Sequence, residues 1–325
     1  MTADVVELTP KPSVVVALGG NALLRRGEPL EAATQARAVR EAAAVLGAAS
    51  LERRLVITHG NGPQVGLLAL MNDAYTEAEP YPLDVLGSES MGQIGYMLEM
   101  QLDNVIDHQD TVAIITRTVV DERDPAFGSP TKFIGPLYGE DEAHTLAEQR
   151  GWTVKLDGDR WRRVVPSPEP RRIVQLSAIR ALVESGFLVV CAGGGGVPVT
   201  ENADGRHRGV EAVIDKDLAS SLLASELDAG MLVLATDVDS VYEGFGTPGQ
   251  RAITRATPAG LARGNFPAGS MGPKVEAVAR FVDRTGGRAA IGSLGDLPEI
   301  LAGRAGTQVA ADGPEIEYAQ GRSPA

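Results

Sequence analysis

Short apolar runs that stop at glycine, alternating with longer amphipathic stretches, set the rhythm of this chain. Positions 14–18 (VVVAL) are continuously apolar and end at Gly19-Gly20, the pattern of a strand buried on both faces of a parallel sheet. Residues 31–50, rich in Ala, Arg and Glu, predict a helix. Positions 55–57 predict a second short strand, broken by His59-Gly60-Asn61-Gly62-Pro63, where Pro63 suits the first turn of the helix that follows. Residues 87–108 predict a further helix, weakened by Gly87, Gly92 and Gly95. A strand is expected at 112–116.

From 121 to 170 the texture changes. Prolines stand at 125, 130, 136, 166, 168 and 170, both tryptophans fall here, and 152–165 alternates as a hairpin does. The segment predicts an insertion, either a surface excursion or a lid. The earlier rhythm then returns, with helices at 173–184, 216–227 and 273–285 and strands at 188–191, 231–235, 289–291 and 307–310. Strand–glycine–helix repetition predicts an α/β fold, a mainly parallel sheet with helices on both faces. No internal repeat or low-complexity linker divides it, so the halves are expected to be lobes of one continuous sheet. Residues 1–12 and 312–325 are expected to be flexible ends.

The chain has 325 residues and a formal charge of −13. Bulk electrostatics therefore disfavour nucleic acid. A phosphate ligand would need local lysines and backbone N–H groups. Cys191 is the sole cysteine and lies in an apolar run; no intrachain disulfide can form, and a small buried core residue is expected. The first residues lack the apolar core of a signal peptide and no apolar run is long enough for a membrane span, so a soluble cytoplasmic protein is expected. Four histidines without metal-ligand spacing argue against a structural zinc site.

Three glycine clusters end predicted strands: Gly19-Gly20-Asn21, Gly60-Asn61-Gly62 and Gly193 to Gly196. In an open parallel sheet ligands sit beyond the carboxyl ends of the strands, and glycine there lets backbone N–H groups approach an anion. Neither the P-loop pattern nor an opening G-x-G-x-x-G is present, which excludes a P-loop protein and disfavours a dinucleotide-binding dehydrogenase. Phosphoryl transfer mainly needs charge neutralisation and in-line positioning. The candidate cations are Lys132 in the inserted segment, and Lys216 and Lys274 at predicted helix starts. The last two oppose the helix dipole, which hints at an anion nearby. Asp215 and Asp217 could orient the lysines, hold Mg²⁺ through water, or cap the helix. Asp237 could bind ribose hydroxyls and Tyr242 could stack on a base. His59 is expected to pack or orient, since phosphoryl transfer depends on charge neutralisation and positioning more than on a strong base.

Jointly the motifs ALGGNAL (17–23), HGNGPQVG (59–66), SMGQIGYMLE (90–99), PTKFIGP (130–136), WRRVVPSPEP (161–170), GGGGVPV (193–199), GVEAVIDKD (209–217), TDVDSVY (236–242) and GSMGPK (269–274) resemble, in order, the motif series of carbamate kinases in the amino-acid kinase superfamily. The resemblance spans residues 14 to 310. It implies an open αβα sandwich, a single kinase domain over 13–311 with an N-lobe for carbamate and phosphoryl group and a C-lobe for nucleotide, and a protruding lid at 121–170. Gly19, Gly20, Asn21, Gly60, Asn61, Gly62, Gly193 and Gly194 would hold the carbamoyl or phosphoryl group. Lys132 would reach the transferring phosphate from the lid. Lys216 and Lys274 would neutralise charge, with Asp217 organising them. Asp237, Tyr242, Met271 and Pro273 would line the nucleotide site. The implied reaction is Mg²⁺-dependent exchange between ATP/ADP and carbamate/carbamoyl phosphate, run towards ATP, in a homodimer, with the metal carried on the nucleotide rather than by a side-chain motif. The alternatives are another amino-acid kinase acting on a carboxylate, and a silent nucleotide or carbamoyl phosphate sensor. Many amino-acid kinases carry Lys where this chain has Ala17. Phe133 and Gly272 also depart from the carbamate kinase pattern, which expects Pro and Leu.

Overall fold

The computed structural model describes residues 12–24, 28–267 and 270–319, the side chains of Asn21 and Ala22 excepted. Along the chain, β1 (Ser13–Leu18) leads through one helical turn, α1 (Gly20–Leu23), to α2 (Ala32–Ser50). Strand β2 (Arg54–His59) leads to α3 (Gly62–Ala74) and α4 (Leu83–Asp103). Two short strands, β3 (Thr111–Ala113) and β4 (Arg117–Val119), precede a branch made of β5 (Lys132–Tyr138), α5 (Glu140–Arg150), β6 (Thr153–Asp157) and β7 (Arg160–Val165). The chain returns through β8 (Arg172–Ile173), α6 (Leu176–Glu184), β9 (Leu188–Val190), β10 (Val197–Glu201) and β11 (His207–Gly209). There follow α7 (Lys216–Glu226), β12 (Met231–Thr236), β13 (Val241–Glu243), β14 (Arg251–Ala256), α8 (Pro258–Ala262) and α9 (Met271–Thr285). The last elements are β15 (Arg288–Ser293), α10 (Leu297–Leu301), β16 (Thr307–Val309) and β17 (Ile316–Tyr318).

The central sheet has the order β13-β14-β16-β15-β12-β1-β2-β9-β3, with β17 on β14. From β15 through β12, β1, β2 and β9 to β3 every pairing is parallel. Antiparallel pairs gather towards the other edge. The apolar run of β1 serves two cores because successive side chains face opposite ways. Val14, Val16 and Leu18 pack with Val39, Leu46, Ile94 and Leu98 from α2 and α4. Val15 and Ala17 pack on the other face with Leu223 of α7 and Val278 and Phe281 of α9. The result is an αβα sandwich in which the parallel strands deliver their C-terminal loops to one edge.

Some expected boundaries move. The helix expected at 87–108 runs from Leu83 to Asp103. Its Gly95 is no defect, since a Cβ there would lie 3.1 Å from the Ala113 side chain and push the helix off the sheet. The strand expected at 112–116 is cut short: the Thr116 hydroxyl donates to the Ile114 carbonyl and accepts from the Ala192 N–H, and the chain then enters a second sheet of order β11-β10-β4-β8. Residues 1–11 and 320–325 of the expected flexible ends lie outside the described residues. Within the remainder, Ile316–Tyr318 is a strand antiparallel to β14, so the C-terminal stretch carries structure beyond 312.

The branch is a three-stranded antiparallel sheet, β5-β7-β6, with α5 beside it. Its base is anchored: Ile134 and Val165 are buried with Val65, Leu83 and Leu86 of α3 and α4. Gly66 of α3 and Gly135 of β5 approach so closely that a Cβ on Gly66 would lie 3.1 Å from the Gly135 Cα. Among the described residues no helix is long and apolar enough to cross a membrane.

Candidate active site

The loops after β1, β2, β9 and β12 interlock through their glycines. Gly19 donates its N–H to the Ala235 carbonyl at 2.9 Å and Gly60 to the Leu18 carbonyl at 3.0 Å. A Cβ on Gly60 would lie 3.3 Å from the Gly20 nitrogen and 3.4 Å from Lys216 Cδ. The first two clusters thus abut, and the Lys216 stem lies against them. Gly194 has φ +64°, and a Cβ there would fall 2.3 Å from the Asn61 side chain; conformation and contact both demand glycine. Asn61 donates through Nδ2 to Ser90 Oγ at 2.8 Å. Gly62 opens α3 with Pro63 behind it. The Asn21 side chain lies outside the described residues.

The ring of His59 is fully buried under Gly193, where a Cβ would sit 2.3 Å from it. Its Nδ1 lies 3.0 Å from the Gly60 carbonyl, an acceptor, so Nδ1 carries the hydrogen; Nε2 has no partner. Burial lowers its pKa to about 4, the bond to Gly60 opposing and the nearby Lys216 charge adding. At neutral pH this is an uncharged support for the loops.

The three lysines meet at the head of α7. Asp215 is its N-cap, with Oδ1 accepting from the N–H groups of Asp217 and Leu218 at 2.9 and 3.2 Å. Asp217 is buried and bridges two cations: Oδ1 accepts from Lys216 Nζ at 2.5 Å and Oδ2 from Lys274 Nζ at 3.1 Å. Lys274 arrives from the first turn of α9, which packs along α7 and accepts a bond from the Ser221 hydroxyl at the Ala277 carbonyl. Lys132 reaches in from β5, its Nζ 2.8 Å from Asp215 Oδ2. The two aspartates offset the repulsion that lysines feel at a helix N-terminus. Burial penalises the Asp217 carboxylate, but the two ammonium groups outweigh it and hold its pKa down to about 2. Burial also lowers the pKa of Lys216; Asp217 resists this and Lys274 reinforces it. Three ammonium groups against two carboxylates leave a local positive excess in a chain of charge −13. Ala17 is wholly buried between Thr58 and Leu234; the cations here come from α7, α9 and β5.

A cavity of about 470 Å³ adjoins this cluster, lined by Gly19, Gly20, Lys216 and Lys274 together with Asp237, Tyr242 and Met271. It is large enough for a nucleotide. Pro273 sits in the first turn of α9 but is not part of this lining. The Tyr242 hydroxyl donates to Asp239 at 2.7 Å. Two lining residues, Phe245 and Phe266, escaped the sequence reading. A signal existed for the first: Phe245 is flanked by Gly244 and Gly246, both with positive φ, and stays exposed beside Tyr242. The departure at Gly272 has a local reason, since a Cβ there would press on the Pro267 carbonyl at 3.1 Å. Among the described residues no group of three or more His, Cys, Asp or Glu could hold a metal ion.

Residues 12–293 match the model of the amino acid kinase family. A carbamate kinase of Rhizobium meliloti (strain 1021) is 51% identical over 309 residues, covering 94% of this chain and 95% of its own. One from Escherichia coli (strain K12) is 52% identical over 295 residues, covering 91% and 98%. Among solved structures, carbamate kinase from Giardia lamblia bound to AMP-PNP superposes with a TM-score of 0.85 at 39% identity, over 93% of this chain and 99% of that one.

Proposed function

The chain belongs to the amino acid kinase family and, within it, to the carbamate kinases, and from this we infer that it moves a phosphoryl group reversibly between ATP/ADP and carbamate/carbamoyl phosphate. The observation that carries this reading is the convergence of Lys132, Lys216 and Lys274 on Asp215 and Asp217, with the Lys216 stem lying against the glycine loops. Transfer of a phosphoryl group spreads negative charge over its equatorial oxygens, and preorganised cations stabilise that charge more than they stabilise the ground state. In this reading Gly19, Gly20, Asn21, Gly60, Asn61, Gly62, Gly193 and Gly194 seat the carbamoyl group. Lys216 and Lys274 neutralise the transferred and β-phosphates, and Asp217 keeps both lysines aimed. Lys132 closes over the site on the branch, which serves as the lid. Asp237, Tyr242 and Met271, with Phe245 and Phe266, hold the nucleotide. No covalent intermediate is required.

Both oxygens of Asp217 are engaged by lysines. A divalent cation such as Mg²⁺ would therefore be carried on the nucleotide's phosphate oxygens, where it offsets their charge. We also propose a homodimer in a cytoplasmic setting, working in the direction of ATP formation. Supporting the dimer, β3 is the free edge of the parallel run, and Tyr96 on the neighbouring α4 is 63% exposed; mass measurement in solution tests it. The decisive assay supplies ADP, Mg²⁺ and carbamoyl phosphate and measures ATP. Failure to use carbamoyl phosphate, with good phosphorylation of an acylated amino acid's carboxylate, would overturn the assignment.

A further inference from the structure

The polypeptide leading into α7 is stitched to the branch at alternate residues. Glu211 accepts from Arg163 of β7 at 3.1 Å. Val213 donates its N–H to the Pro166 carbonyl at 3.0 Å and packs against the cluster that holds Ile134 and Val165. Asp215 accepts from Lys132 of β5 at 2.8 Å. Residues 211, 213 and 215 thus form one strap along the base of the branch, whose far end Glu211 also fixes to α4 by accepting from the Leu83 N–H at 2.9 Å. The strap ends where Lys216 begins. Asp215 divides its carboxylate between the two sides, Oδ1 to the head of α7 and Oδ2 to Lys132.

We propose that Asp215 is a positioning residue that ties the branch to α7, so that Lys132 and Lys216 are presented to the same phosphoryl group as one unit. This rests on the reading that Lys132 acts at that group. A lysine that is 36% exposed on a strand edge is otherwise free to point into water. The Asp215 carboxylate confines its ammonium next to the residue that carries the second cation. Through Glu211 and Val213 the strap also makes any displacement of the branch a displacement of the peptide entering α7. Closure of the branch and alignment of Lys216 are thereby one event.

The test is a double-mutant cycle in the full-length enzyme, read by ATP formation from ADP and carbamoyl phosphate. Asp215→Asn keeps an oxygen for the helix cap and removes the charge that holds Lys132. It is expected to leave the melting temperature unchanged and to lower kcat about 10-fold, with the KM for ADP moving less than about 2-fold. Lys132→Ala is expected to lower kcat by roughly 10²-fold, the scale for one preorganised charged group. In the Lys132→Ala background, Asp215→Asn should change kcat by less than about 2-fold, because residues acting through one contact are not additive. Lys132→Ala with normal kcat would sink the role of Lys132 itself. A large loss in Lys132→Ala with normal kcat in Asp215→Asn, or with fully multiplicative losses, would overturn the coupling alone. If Asp215→Asn does not fold, Glu211→Gln loosens the strap away from the helix head. It should cost about 3-fold in kcat in the wild-type background and nothing in the Lys132→Ala background; equal losses in both would also overturn the proposal.

Discussion

Replacing His59 by Asn and following stability against pH isolates the cost of keeping an uncharged imidazole beneath the glycine loops. The folded pKa is about 4, against an ordinary 6.5. Between those values the unfolded chain binds a proton that the native state does not, so stability rises with pH across the window. The contribution is intact above pH 6.5 and is lost as pH falls towards 4. Titration near 4 in place of 6.5 corresponds to about 3 kcal/mol when fully lost, and about 2 kcal/mol of it is gone by pH 5. Asn is the replacement of choice because its amide N–H can reach the Gly60 carbonyl in place of Nδ1–H. The smaller side chain leaves a gap under Gly193 that costs about 1–3 kcal/mol at any pH. Asp217 does not confuse the comparison, since its window runs from 3.8 down to about 2. Urea titrations at pH 7, 6 and 5 should therefore show the wild type's advantage over His59→Asn shrinking by about 2 kcal/mol between pH 7 and 5. A difference that stays constant across that range would mean that the imidazole protonates normally in the native state, and the account of His59 as a neutral support would be wrong.

Lys216→Ala and Lys274→Ala should each lower kcat by roughly 10²–10³-fold while leaving the fold intact, measured by steady-state ATP formation and circular dichroism; near-normal turnover would remove that lysine from the mechanism. Gly194→Ala combines an unfavourable left-handed backbone with overlap on Asn61 and should cost about 3 kcal/mol. An unchanged urea midpoint would show that Asn61 moves aside freely.

Much of the fold is legible in residues whose pattern is local. The run at 14–18 and its terminal glycines announce a two-faced buried strand and the ligand edge together. Lys216 and Lys274 announce themselves by standing where a helix dipole repels them. What local pattern does not carry is convergence. Nothing in the order of residues says that Lys274 meets Asp217, 57 positions away; that follows from α9 packing along α7. The joint between Lys132 and Asp215, 83 positions apart, is equally non-local. Strands β13, β14 and β17 went unread because their exposure is mixed, and short half-exposed strands lack a continuous apolar signature. Phe245 shows the opposite failure: its setting between two glycines was visible, but exposed aromatic residues are common enough to pass without remark.

The sole cysteine turns the molecule into its own stopwatch. Cys191 is buried under the third glycine loop, and burial pushes its thiol up to about 12. In the closed native state it presents neither an accessible sulfur nor a nucleophilic thiolate. A thiol-specific dye added to the untouched enzyme can therefore mark a chain only when the packing around the end of β9, next to the edge strand β3, comes apart, and each marked chain records one such opening. Labelling counted with and without nucleotide or carbamoyl phosphate would read how far each ligand suppresses that opening, with no engineered probe.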